Sequence, residues 1–326
     1  MNGKKLLIIS SYIDDKPLGG VTMHVHRLIK TVIEPHVSSY ILCDYKNEGI
    51  ITWIRKIKEA NVMHIHASSP YLKLFLVISA RVFGTVSLLT IHGRYGSFNK
   101  WRNFFNKLAL IICNVPILIN KESYEAVSSF KKTAVYLPAF LPPIKEEEKL
   151  SNDIESLITN IKSNGNPLFV TNASSMAFTD DGLEIYGIRF LIDYFSKKKE
   201  FNLLILDPQG QYYSSYNNCL PHNITIVTGN HSFCGVMERA DVVIRNTPID
   251  GDSFSVKEAL YYRIKILATD AVSRPRGVIL YHYNDDISFE KAVTSALKSQ
   301  EDIDYVEENS IQMYMDLYTN LGVSVR

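Results

Sequence analysis

Short apolar runs alternate along the chain with stretches whose apolar positions recur every three or four residues, the patterns of buried strands and of helices with one apolar face. In the first half the runs predict strands over 4–11, 40–43, 62–66, 86–91, 116–120 and 134–137. Helical patterns between them cover 21–33, 51–59, 70–83, 98–112 and 122–130, and Glu34-Pro35 is expected to stop the first helix. Residues 138–149, PAFLPPIKEEEK, break the alternation with three prolines and a charge run, so they read as a linker with a solvated acidic part. The second half resumes with helices over 152–162, 184–197, 232–239 and 254–263 and strands over 167–171, 202–206, 224–228, 241–245 and 265–269. A last helical pattern runs over 303–321. Such alternation predicts parallel α/β layers in two domains, 1–140 and 141–302.

Composition narrows the functions more than the fold. A chain of 326 residues is comfortable for two domains of roughly 150 each. The net charge of +1 gives no sign of nucleic-acid binding. Cys43, Cys113, Cys219 and Cys234 stand far apart, which suggests neither a zinc site nor a disulfide framework and fits a reducing cytoplasm. The first residues, MNGKKLLIISSY, lack a small-residue cleavage pattern and read as a buried strand rather than an export signal. The longest apolar region, 72–91, is about as long as a membrane span, but Lys73, Arg81 and Gly84 interrupt it, so it reads as helix, turn and strand.

Candidate chemistry gathers in 244–277, IRNTPIDGDSFSVKEALYYRIKILATDAVSRPRG. Asp252 and Ser253 are suitable N-caps for the helix that follows, with Val256, Ala259 and Leu260 facing in. Strand, acidic loop, helix and strand in a parallel sheet place the loop and the helix N-terminus at the carboxyl edge, where a phosphorylated ligand binds. Gly19-Gly20 follows the first strand and would let backbone N–H groups approach a phosphate or sugar, although a plain turn needs the same residues. His66 and His92 each end a strand, where a histidine either touches substrate or serves as a hydrogen-bonded structural group, while His64 reads as structural. In 98–112 Trp101, Phe104 and Phe105 interleave with Lys100, Arg102 and Lys107. That pattern suits an interfacial membrane contact and equally a core helix with a solvated face.

The run Asp250-Gly-Asp-Ser-Phe-Ser-Val-Lys-Glu258-Ala259, with Ala268-Thr269-Asp270 closing the next strand, resembles the carboxyl-terminal signature of the family 4-type retaining glycosyltransferases. Their common Glu-x7-Glu pattern here begins with Asp. Arg245, Thr247 and the Arg274-Pro-Arg-Gly277 run resemble a variant branch of the same family. The resemblance implies an α/β chain of GT-B architecture, two Rossmann-like domains with parallel sheets facing across a cleft. The first would be the acceptor side, with the helix in 303–326 packing back on it, and the second would bind the nucleotide sugar. It further implies that Glu258 holds the ribose hydroxyls, that Asp250 contacts the donor sugar, that His92 lies at the substrate, and that Gly19 and Gly20 form the family's glycine loop. Neither metal nor cofactor is implied, the nucleotide-sugar donor being a substrate. The acceptor would be a saccharide or a lipid-linked saccharide in bacterial surface polysaccharide biosynthesis, and the enzyme cytoplasmic, with peripheral contact on the anionic inner face of the membrane.

Where the family carries Gly-Arg and Lys-Gly to clamp the donor diphosphate, this chain reads Asn172-Ala173 and Tyr186-Gly187. Arg245, Arg274 and then Arg276 are the expected replacements, with Asp252 and Ser253 at the adjoining helix start and Arg189 less well placed. Removing Arg245 or Arg274 is expected to cost transfer and little stability. Three other classes compete. Asp250-Gly-Asp252 spells the DxD of a metal-dependent GT-A enzyme, but it comes late and at a helix start, where Asp252 has a capping role. A sugar-nucleotide epimerase on the same fold would need an acid/base set that the sequence does not display, and a non-catalytic nucleotide-sugar-binding subunit would explain the lost clamp.

Overall fold

The structure, a computed structural model, describes residues 4–11, 20–216, 219–250, 253–299, 303, 305 and 309–326. The chain divides into two compact units, Met1–Pro142 with Glu308–Arg326, and Pro143–Glu307. In the first, β1 (Leu6–Ser10), α1 (Gly20–Leu28), α2 (Glu34–His36), β2 (Tyr40–Asp44), α3 (Ile50–Glu59), β3 (Val62–His66) and α4 (Pro70–Val82) are followed by β4 (Val86–Ile91), α5 (Lys100–Ile112), β5 (Val115–Leu118), α6 (Lys121–Ser128) and β6 (Val135–Tyr136). The second holds α7 (Asn152–Lys162), β7 (Leu168–Asn172), α8 (Ile188–Ser196), β8 (Asn202–Asp207), α9 (Gln211–Tyr216), β9 (Ile224–Thr228) and α10 (Phe233–Met237). It continues with β10 (Val242–Arg245), α11 (Phe254–Tyr261), β11 (Lys265–Thr269), β12 (Ile279–Tyr281) and α12 (Asp286–Lys298), after which α13 (Ser310–Asn320) belongs to the first unit.

Each unit is built on one six-stranded, wholly parallel sheet, ordered β2-β1-β3-β4-β5-β6 in the first and β12-β11-β10-β7-β8-β9 in the second. The fold is therefore α/β with two Rossmann-like sheets, as the strand and helix alternation predicts. Every residue of β1 and of β3 is buried, because helices cover both faces of a parallel sheet and remove the need for polar alternation. In β1, Leu6 and Ile8 join the apolar cluster that takes in α1 and α13, while Leu7 and Ile9 join the one beneath α4 and α5. The tail after α13 stays on this unit, with Lys4 N–H bonded to Gly322 O and Ser38 N–H to Ser324 O at 3.0 Å each.

Several expectations are corrected. Glu34-Pro35 does not stop the first helix. The helical backbone passes through a π turn, Ile29–Ile33, in which the Glu34 N–H bonds the Ile29 carbonyl, and it ends at extended Val37. Proline has no N–H to donate and crowds the carbonyl four residues back, and the wider turn relieves that clash. The stretch read as a linker is no loose tether, since Ala139, Phe140 and Leu141 are at most 2% exposed and Leu141 joins the apolar cluster that takes in α1 and α13. The helix expected over 184–197 begins only at Ile188, because Gly187 takes a left-handed conformation, φ 51°. Three short or late elements, α9, β12 and α12, went unread, although Phe289, Ala292, Val293 and Ala296 give α12 a clear helical period.

Candidate functional site

In the second sheet the strand order reverses at β7, with β8 and β9 on one side and β10, β11 and β12 on the other. The loops leaving β7 and β10 at their carboxyl ends diverge there, and in open parallel sheets ligands bind in that crevice. Arg245 is the last residue of β10 and Asn172 the last of β7. The loops are knit together by hydroxyls: Thr171 donates to Ile244 O at 3.0 Å, and Thr269 donates to Thr247 O at 2.6 Å. Asn246 Nδ2 reaches across to Gly187 O at 3.0 Å and to Asn284 Oδ1 at 3.1 Å. This approach is why position 187 is glycine: a Cβ there would stand 2.1 Å from Asn246 Nδ2, and the positive φ suits no other residue well.

Asp250, Arg245 and Arg274 meet at this edge. Asp250 accepts from Arg245 Nη2 at 3.1 Å and Nε at 3.2 Å, and from Arg274 Nη1 at 2.8 Å. Arg274 is locked further by its Nε bond to Thr269 O at 3.0 Å. Burial alone would raise the Asp250 carboxyl above its ordinary pKa, but Arg245 and then Arg274 outweigh it and hold the group below. The guanidinium of Arg245 also lies 5.4 Å over the ring of Tyr186, whose hydroxyl bonds Ser174 Oγ at 2.5 Å. Tyr186 thus supports Arg245 at this edge. Three buried polar atoms at this edge have no partner among the described residues: Arg274 Nη2, Asn246 Oδ1 and the Tyr281 hydroxyl. A buried polar group left without a hydrogen bond costs about 1–3 kcal/mol, so polar atoms brought to this edge would be stabilising there. It can accept an anion at the arginines and hydroxyls at the asparagine and tyrosine.

Glu258 lies inside α11 and is 6% exposed, with Val256, Ala259 and Leu260 buried beside it as expected. Ser253 occupies the N-cap position of α11, but its hydroxyl bonds Ser255 Oγ at 3.0 Å instead of capping a backbone N–H. Arg276 is exposed, and Arg189 is exposed on α8 with Nε 3.3 Å from the Tyr216 hydroxyl. Gly19 and Asp252 lie outside the described residues, and Gly20 is the first residue of α1.

In the first unit the strand order reverses between β1 and β3, and histidines collect at that end. His92 Nε2 and His66 Nδ1 are 2.9 Å apart, and the His64 and His66 rings are 4.1 Å apart between centroids. His64 bonds the Tyr318 hydroxyl at 2.8 Å and Thr90 Oγ1 at 2.7 Å, so it does serve as a structural group. His24 on α1 joins the group, 5.0 Å from the His92 ring and 2.7 Å from Ala139 O. Burial is the largest cause that holds all four imidazoles below their ordinary pKa, His24 at about 4 and His64 at about 3. They are therefore neutral at physiological pH. His24, Asn246 and Tyr281 were not singled out by sequence; the position of Asn246 between Arg245 and Thr247 is the signal that could have marked it.

No family model matches the chain, and no curated protein matches its sequence. Solved structures share its fold end to end. The Anabaena protein HepE in complex with UDP and glucose is 11% identical with a TM-score of 0.68, over 98% of this chain and 97% of that one. A glycosyltransferase from Rickettsia africae, also 11% identical, matches with a TM-score of 0.68 over 98% and 99%. The UDP-GlcNAc 2-epimerase from Methanocaldococcus jannaschii matches with a TM-score of 0.63 at 11% identity, over 97% and 99%. At such identities the likeness concerns the fold, and the fold is that of GT-B proteins, with two Rossmann-like domains.

Proposed function

We propose that the chain is a glycosyltransferase that moves a sugar from a nucleotide-sugar donor, held on the second unit, to a saccharide or lipid-linked acceptor on the first. The observation that carries this reading is the Arg245–Asp250–Arg274 group at the strand-order reversal, with Arg274 Nη2 buried and without a partner among the described residues. A departing diphosphate gains charge in the transition state, and preorganised cations stabilise it there without having to reorganise. Arg245 and Arg274 would supply those cations in place of the Arg and Lys of the common family pattern. Glu258 would hold the ribose, Asp250 would orient both arginines and face the sugar, and His92, neutral, would hydrogen-bond a substrate hydroxyl. The reaction would retain anomeric configuration and need no metal ion. HepE, a neighbour in fold, was crystallised with UDP and glucose, and this supports a uridine nucleotide as the first donor to try.

A role in surface polysaccharide assembly at the cytoplasmic face of a membrane belongs to the same proposal. No helix among the described residues is long and apolar enough to cross a membrane. On α5, Trp101 is 74% and Phe104 56% exposed among Lys100, Arg102 and Lys107, which suits a helix lying in a lipid interface. Trp101→Glu with Phe104→Glu should abolish co-sedimentation with anionic vesicles; unchanged binding would leave α5 a packing element only.

A donor screen by thermal shift tests the central assignment. A donor at 100 times its dissociation constant should stabilise the protein by about 2.7 kcal/mol. The gain should vanish in Arg274→Ala, and no nucleotide sugar stabilising the wild type would refute the reading. The epimerase that shares the fold keeps a second outcome open, conversion of the donor without transfer.

A further inference from the structure

Lys73, in the first turn of α4, is 3% exposed. Its ammonium has three protons to donate but makes one hydrogen bond, 3.2 Å to Oδ1 of Asn106, which is 1% exposed on α5. No carboxylate among the described residues forms an ion pair with it. The charge that acts on it is a second cation, Arg102 on α5, whose guanidinium lies 4.7 Å over the Phe98 ring. Together α4 and α5 carry Lys73, Arg81, Lys100, Arg102 and Lys107 and no acidic residue.

A buried ammonium without a counter-ion costs several kcal/mol, and satisfying one amide oxygen would need only a neutral donor. Burial accordingly pulls the Lys73 pKa down to about 8, with Arg102 adding to the fall. The position lies at the ligand edge of the first sheet, because α4 starts just after β3 and Lys73 stands within electrostatic reach of His92 at the end of β4.

We propose that Lys73, Asn106 and Arg102 form an anion site on the first unit, which receives a phosphate oxyanion carried by the acceptor. The oxyanion would take the free protons of Lys73 and the outer face of Arg102, while Asn106 fixes the ammonium. That the carrier is the acceptor rests on the transferase reading, whereas the anion site itself does not.

Calorimetric titration with inorganic phosphate at fixed ionic strength tests this on the full chain. Lys73→Met, which keeps the apolar stem, should weaken one phosphate site by roughly tenfold or more. Lys73→Arg should retain the site, and Arg102→Gln, a change at an exposed residue, should weaken it severalfold even if Lys73→Met fails to fold. Lys73→Met and Arg102→Gln should leave nucleotide-sugar binding unchanged, and Arg245→Ala should do the converse. Dodecyl phosphate binding more tightly than inorganic phosphate at the Lys73-dependent site would point to a lipid carrier, and equal binding to a soluble one. Phosphate affinity that is the same in wild type, Lys73→Met and Arg102→Gln would overturn the proposal. Loss of nucleotide-sugar binding with the phosphate site intact would instead sink the transferase reading alone.

Discussion

With 6% of its side chain exposed, Asp250 sits between Arg245 at 3.1 Å and Arg274 at 2.8 Å, so removing either arginine leaves a buried carboxylate short of a partner. For Arg274, whose side chain is 3% exposed, this geometry predicts a loss of stability where the sequence alone suggests little. Arg274→Ala should cost about 3 kcal/mol in urea unfolding and should cut transfer by about 10 to 1,000-fold. Arg245→Ala, with its side chain 17% exposed, should cut transfer similarly but lose less stability. Equal losses of stability would show that Asp250 does not depend on Arg274 as the geometry implies. Gly187→Ala forces its Cβ into Asn246 and should lower the melting temperature and displace the Asn246 amide; an unchanged melting temperature would contradict the close approach. At this scale the resemblance of 244–277 to a glycosyltransferase signature brought out Asp250, Arg245 and Arg274, but not Asn246 or Lys73. Their meaning depends on burial and on partners, Gly187 and Asn106, that stand far away in the chain.

Four elements meet through histidines: α1 by His24, β3 by His64 and His66, the end of β4 by His92, and α13 by Tyr314 and Tyr318, which bond His24 and His64. These imidazoles are neutral when folded, whereas an unfolded histidine takes a proton below about pH 6.5. Their contribution is thus present above pH 6.5 and is lost as the pH falls toward the folded value of about 4 for His24, roughly 3 kcal/mol from that residue alone. Unfolding temperature should drop steeply from pH 7 to pH 4.5, with a shallower slope in His64→Gln; a flat profile would contradict the buried neutral cluster. Element positions were legible where the apolar period is clean, as in β3, β4 and α7, whose observed limits coincide with the expected ones. They were not legible where one residue overrides the pattern. The π turn before Pro35 and the left-handed Gly187 both shift a boundary through a local backbone demand that periodicity does not encode.

For the whole molecule, the repeated alternation of strand and helix was enough to give two parallel α/β units, because a sheet buried on both faces leaves an unmistakable apolar run for each strand. The strand-order reversals that place the ligand edges follow from pairing between distant strands and could not be read from the chain alone. Donor and acceptor identity lies in contacts with molecules outside the chain. The claim that joins these scales is that the arginine pair on the second unit serves sugar transfer. The most direct measurement is release of nucleoside diphosphate from a stabilising nucleotide sugar, with and without a saccharide or lipid-linked acceptor, with product configuration read by NMR. Transfer predicts acceptor-dependent release, a product that keeps the donor's anomeric configuration, and a loss of about 10 to 1,000-fold in Arg274→Ala. Tight nucleotide-sugar binding with no acceptor-dependent release, or an epimerised donor without transfer, would contradict it.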